Sequence, residues 1–85
     1  MPSKVGNEYQ TLGLALRRLR NHAGLKQAEL GARAHIGAVY ISQIEHGRRG
    51  VRWHTLLQLL AVLDADLHQL ADAIAAVEAE ASPPE

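Results

Sequence analysis

The stretch from Leu25 to Gly47, LKQAELGARAHIGAVYISQIEHG, constrains the fold of this chain more than any other. Apolar side chains at Leu30, Ala34, Ile36, Ile41 and Ile44 recur at three- and four-residue steps on either side of one break at His35 to Gly37. That is the helical period, so the stretch reads as two short helices, about Gln27 to Ala34 and Ala38 to His46, meeting at a tight turn. Gly31 is small enough to let the two cross closely. Histidine, which stands in that turn at position 35, is one of the few non-glycine types enriched in the left-handed conformation, at a strain on the order of 1–2 kcal/mol.

The charge distribution is as uneven as the apolar pattern is regular. Residues 1–54 hold nine Lys and Arg against Glu8, Glu29 and Glu45, whereas residues 55–85 hold six acids and no Lys or Arg. The formal net charge of zero therefore conceals a basic half and an acidic half, an asymmetry that suggests a polyanionic partner. Eighty-five residues make one domain with a single small core, near the size at which pairing with a second copy helps. No cysteine is present, which excludes disulfides and thiolate metal sites and suits a reducing compartment. The opening MPSKVGNEYQ has no apolar core of a signal peptide, and no run approaches a membrane span, so a soluble cytoplasmic protein is expected.

Read in order, residues 1–7 are polar, contain Pro2 and Gly6, and are expected to form a flexible arm. A first helix from about Glu8 to His22 buries Leu12, Leu16 and Leu19, leaves Arg17, Arg18 and Asn21 outside, and stops at Gly24. A fourth from about His54 to Leu63 carries Leu56, Leu57, Leu59, Leu60 and Leu63, enough apolar surface to be well buried. A fifth, Leu67 to about Glu80, is alanine-rich and a good helix former. Its Leu70, Ile74 and Val77 continue Leu63 and Leu67 in alternating four- and three-residue steps, the spacing of a packing seam, and are expected to meet a second copy. Residues 82–85, with two prolines, are expected to be a disordered tail.

Four motifs occur in sequence along this frame. Gly13, Leu16, Arg17, Leu19 and Arg20 give Gly-x-x-apolar-Arg-x-Leu-Arg; Gly24, Leu25, Lys26, Gln27, Glu29 and Leu30 give Gly-Leu-polar-Gln-x-Glu-Leu. Tyr40, Ile41, Ser42, Ile44, Glu45 and Gly47 give Tyr-Ile-Ser-x-Ile-Glu-x-Gly, and Thr55 to Leu60 give Thr-Leu-Leu-x-Leu-Leu. Over roughly residues 12–67 the chain resembles the phage-repressor-like (Cro/C1, xenobiotic-response-element type) helix-turn-helix regulators of bacteria. The resemblance implies an all-α, compact five-helix bundle of the lambda-repressor-like type, a DNA-binding domain over residues 8–67, and an extended C-terminal helix over 68–81 for dimerisation.

It also implies roles for individual residues. Arg20 lies on the core side of the first helix, where an unpaired charge is costly, and the family pairs the equivalent arginine with the glutamate here at Glu45. The helix from Ala38 is the one that enters the major groove. Ala38 and Val39 would pack on thymine methyls, Gln43 would bind adenine in bidentate fashion, and Ser42 would bond to several bases. Gln27, at a helix N-terminus suited to phosphate, together with Tyr40, Arg48, Arg49 and Arg52, would contact the DNA backbone and set register. The chain departs from the family at Lys26, where a Ser or Thr N-cap is usual, at His35 and Gly37 in the turn, and at Val51 and Arg52, where Pro-Ser is frequent. Trp53 replaces an aliphatic core residue and is expected to pack in the core.

Histidines at positions 22, 35, 46, 54 and 68 form no His-Glu-x-x-His pattern. Ser42 and His46 are one turn apart with nothing to orient the histidine as a base, so no enzyme, metal or cofactor is expected. Double-stranded DNA and a second copy are the expected partners, at the nucleoid in the cytoplasm. Three readings stay open: a homodimeric repressor on a palindromic operator, an antitoxin that autoregulates its operon and binds a toxin, and a helical interaction module that has lost DNA binding. The lack of Arg, Lys or Asn at positions 38 and 39 favours the last.

Overall fold

The computed structural model describes residues 5–81, with side chains described for residues 8–80. Five α-helices follow one another and no strand occurs among the described residues: α1 (Val5–His22), α2 (Gln27–Ala34), α3 (Ala38–Glu45), α4 (Trp53–Val62) and α5 (Leu67–Ala81). The five-helix, all-α architecture expected from the sequence is the one observed. α1 begins three residues before the expected Glu8 and takes in part of the supposed arm. The remainder of that arm, residues 1–4, and the supposed tail, residues 82–85, lie outside the described residues.

Both ends of α2 and the start of α5 have a local cause. His35 adopts the left-handed conformation, with φ 58° and ψ 42°, and its N–H returns to the Ala32 carbonyl at 3.4 Å while Ile36 N–H bonds Gly31 O at 2.8 Å, the pattern that ends a helix with a residue of positive φ. Lys26 has no side-chain acceptor to offer, but Glu29 Oε1 accepts from its backbone N–H at 2.8 Å, so half of a capping box is retained. α5 has the whole of one: Asp66 Oδ1 accepts from Gln69 N–H at 2.8 Å, and Gln69 Oε1 accepts from Asp66 N–H at 2.9 Å.

One core binds the helices. Leu16 of α1, Leu30 of α2, Ile41 and Ile44 of α3, and Leu59 and Leu60 of α4 are all nearly sealed from solvent. α1 packs on both α3 and α5, and α2 on α3 and α4. Two glycines set the closest approaches. A Cβ on Gly13 would collide with the Ile44 carbonyl oxygen, and one on Gly31 with that of Ile36, so backbone rests directly on backbone at both crossings.

Three sequence expectations are corrected here. Leu70 and Val77, assigned to a contact with a second copy, are only 5% and 7% exposed and belong to the chain's own core, because α5 folds back along α1; of that trio only Ile74 stays half-buried. Trp53, expected in the core, is 60% exposed, and Leu57 is 42% exposed. The buried stripe of α4 runs through Leu56, Leu59, Leu60 and Leu63, which leaves Leu57 to one side of it and Trp53 on the first turn, beyond the helices that cover the rest.

Candidate nucleic-acid interface

α3 stands on the core by Ile41 and Ile44, each 2% exposed. Its helical period then fixes what faces away: Ala38 and Val39 are exposed, Ser42 and Gln43 half-buried, and His46 exposed at the C-cap. Val39 is the most prominent of these, at 72% exposure. His46 closes the helix end, its Nδ1 donating to the Ser42 carbonyl at 2.8 Å. Ser42 Oγ lies 3.4 Å from the same nitrogen, which leaves that hydroxyl free to turn outward.

Beneath this outer face lies a buried carboxylate. Glu45 is 2% exposed and receives Arg20 through two bonds, Nε to Oε2 at 2.6 Å and Nη2 to Oε1 at 2.9 Å. Arg20 Nη1 also donates to the Leu25 carbonyl at 2.8 Å, tying α1 to the α1–α2 turn and to α3 at once. Gln27 Nε2 donates to Glu45 Oε1 at 3.0 Å, and Arg17 Nε approaches it at 3.5 Å. Burial works against ionisation of Glu45, but the hydrogen bonds from Arg20 and Gln27 and the charges of Arg20 and Arg17 prevail and hold its carboxyl below the usual range. The bond to Glu45 raises the Arg20 guanidinium in turn.

This network alters two sequence assignments. Gln27, placed on a phosphate, spends one of its two amide hydrogens on Glu45. Arg17, read simply as solvated, is half-buried and reaches the same carboxylate. Arg17 and Arg20 are three residues apart on one helix, hence on one face, and that spacing is the signal that places them together.

The loop after α3 adds a basic rim. Arg48, Arg49 and Arg52 are all exposed. Arg49 stacks on Tyr40, its guanidinium carbon 4.8 Å from the ring centroid, within cation–π range. Tyr9 of α1 lies under the loop, so that a Cβ on Gly50 would come within 3.0 Å of its ring. Tyr9, Tyr40, Arg49 and Arg52 thus line one open concavity beside α3. The sequence placed Tyr40 and these arginines here but missed Tyr9, which lies about one helical turn before the first motif begins at Gly13.

An outward helix on an isoleucine base, flanked by exposed arginines, suits a polyanion. A family model described as a helix-turn-helix domain matches residues 11–80. The chain belongs to that family. In the helix-turn-helix domain the matched span takes in all of α2, α3, the arginine loop and α4, and its family and fold are those of DNA-binding regulators, not of enzymes. It is similar to the crystal structure of the clp gene regulator ClgR from Corynebacterium glutamicum, with TM-score 0.78 and 27% identity over 86% of this chain and 79% of that one. It is similar also to the restriction-modification controller protein C.AhdI from Aeromonas hydrophila, with TM-score 0.72 and 30% identity over 75% of this chain and 97% of that one. A comparison with curated proteins finds no match. Among the described residues no helix is long and apolar enough to cross a membrane, and no cluster of His, Cys, Asp or Glu could hold a metal ion.

Proposed function

We propose that this helix-turn-helix domain is a sequence-specific DNA-binding transcriptional regulator that acts as a homodimeric repressor on a roughly palindromic operator in the cytoplasm. The observation that carries the reading is the outward face of α3, Ala38, Val39, Ser42 and Gln43, set beside the exposed Arg48, Arg49 and Arg52. Val39 and Ala38 pack on thymine methyls, Gln43 pairs with adenine, and Ser42 adapts to several bases. The arginines, with Tyr40 and the remaining amide hydrogen of Gln27, hold phosphates and set register. Two copies place their α3 helices one helical turn apart, ~34 Å. Ile74, Trp53 and Leu57 retain apolar surface for the contact between them. The printed descriptions of ClgR as a gene regulator and of C.AhdI as a controller protein support a regulatory role.

Binding to a selected operator should fall steeply with salt, with a slope of about −0.9 per neutralised phosphate. Gln43→Ala should cost about 1–3 kcal/mol at the preferred base and relax the preference there. Arg48→Ala should weaken every duplex alike and reduce the salt slope by about one. Equal affinity for all duplexes, unchanged by either substitution, would overturn the proposal. A second reading, a helical protein-interaction module that has lost DNA binding, is favoured by the absence of Arg, Lys or Asn at positions 38 and 39 and by exposed Val39 and Trp53; co-purification with a partner protein in place of DNA would be its outcome.

A further inference from the structure

Away from α3, between the C-terminal halves of α1 and α5, runs an open groove of about 470 Å³ lined by Leu14, Arg17, Arg18, Asn21, Val77 and Glu80. Its volume lies within the ~300–1,000 Å³ of small-molecule sites. Leu14 is 42% exposed although it is a large apolar residue on a helix whose Leu16 is buried and whose Leu12 and Leu19 are partly so, and Val77 lines the groove with it. The rim is cationic and polar: Arg17, Arg18 and Asn21 occupy successive positions along one side. A carboxylate is already held there, because Arg18 Nη2 donates to Glu80 Oε1 at 2.6 Å. Both partners of that pair are solvent-accessible, at 43% and 64% of their side-chain surface, so the bond is weak and exchangeable. Arg17, 36% exposed, stands between this groove and Glu45, joining the rim to the ion network under α3.

We propose that this groove binds a small amphipathic carboxylate, its chain lying on Leu14 and Val77 and its head taking Arg18 from Glu80, with Arg17 and Asn21 alongside. Guanidinium groups prefer carboxylates for their paired, planar hydrogen bonds, and apolar surface at the floor selects a ligand with a tail. From Leu14 to Asn21 the groove runs about 10 Å along α1, the length of an extended eight-carbon chain and short for a peptide segment. Glu80 is then an internal competitor that occupies the arginine when no ligand does.

The test is a titration of the full chain with octanoate below its micelle concentration, followed by NMR of side-chain methyls. Leu14 and Val77 should shift saturably. Octanol, which lacks the charge, should bind about tenfold more weakly, as loss of a charge-assisted hydrogen bond implies. Arg18→Gln should weaken octanoate binding and Glu80→Gln should tighten it severalfold, a gain that a role of Glu80 in folding alone would not produce. Absence of saturation, equal binding of octanol, shifts centred on Trp53 and Leu57 instead, or no tightening in Glu80→Gln would each overturn the proposal, as would binding of a short acidic peptide without octanoate. No DNA is present in this titration, so its failure is separate from any failure of the DNA-binding reading.

Discussion

Glu45 is the residue on which the most contacts converge, since three side chains from two other helices donate to it. Its folded-state pKa is depressed, so the stability it contributes is present above the unfolded carboxylate value of about 4.3 and is lost as pH falls through the folded one. Thermal unfolding should therefore show a fall in melting temperature on the acid side, and Glu45→Gln should flatten that limb. At neutral pH the same substitution leaves Arg20 without its counter-charge and should cost about 3–5 kcal/mol in chemical denaturation. A melting profile that keeps its acid slope in Glu45→Gln would assign the pH dependence to other groups. That Arg20 and Glu45 belong together was legible from the sequence through the family resemblance; that Gln27 and Arg17 join them was not, because their bonds depend on the angle between α1, α2 and α3.

Among the elements, the two helix starts at Lys26 and Asp66 make a natural contrast. Asp66 both gives and receives through its partner Gln69, whereas Lys26 only donates its backbone N–H to Glu29. Asp66→Ala should destabilise the fold by about 1 kcal/mol, and Lys26→Ala should change it much less; equilibrium urea unfolding distinguishes the two. The helices themselves were legible because their apolar period is strong and their stops are chemically marked by Gly24, His35 and Asp64 to Asp66. The fates of Trp53 and Leu57 were not. Periodicity gives the face of a helix but not the extent of the neighbours that cover it, and α4 begins one turn before that cover does.

At the scale of the molecule the main revision concerns α5. A seam of Leu70, Ile74 and Val77 is visible in the sequence, but a pattern of this kind does not say whether its partner is another chain or α1 of the same one. Here it is α1. Leu70→Ala should accordingly cost about 2–5 kcal/mol of unfolding free energy, and the loss relative to the unsubstituted chain should be the same at every protein concentration. A loss that instead appears as weakened self-association in sedimentation would return Leu70 to a contact between copies. The charge asymmetry was fully legible, and under the proposed function it orients the molecule: the basic rim of Arg48, Arg49 and Arg52 flanks the outward face of α3, while residues 55–85 carry only acids.

The meeting of Gly13 with the carbonyl of Ile44 has an evolutionary corollary. With main chain seated on main chain, the pose of the reading helix does not depend on the size or rotamer of any side chain at that crossing. If the helix reads DNA as proposed, exchanges at positions 38, 39, 42 and 43 can redirect the preferred operator while the mount stays still. Recognition is then free to diverge quickly, and the hydrogen-only side chain at position 13 is the part that cannot.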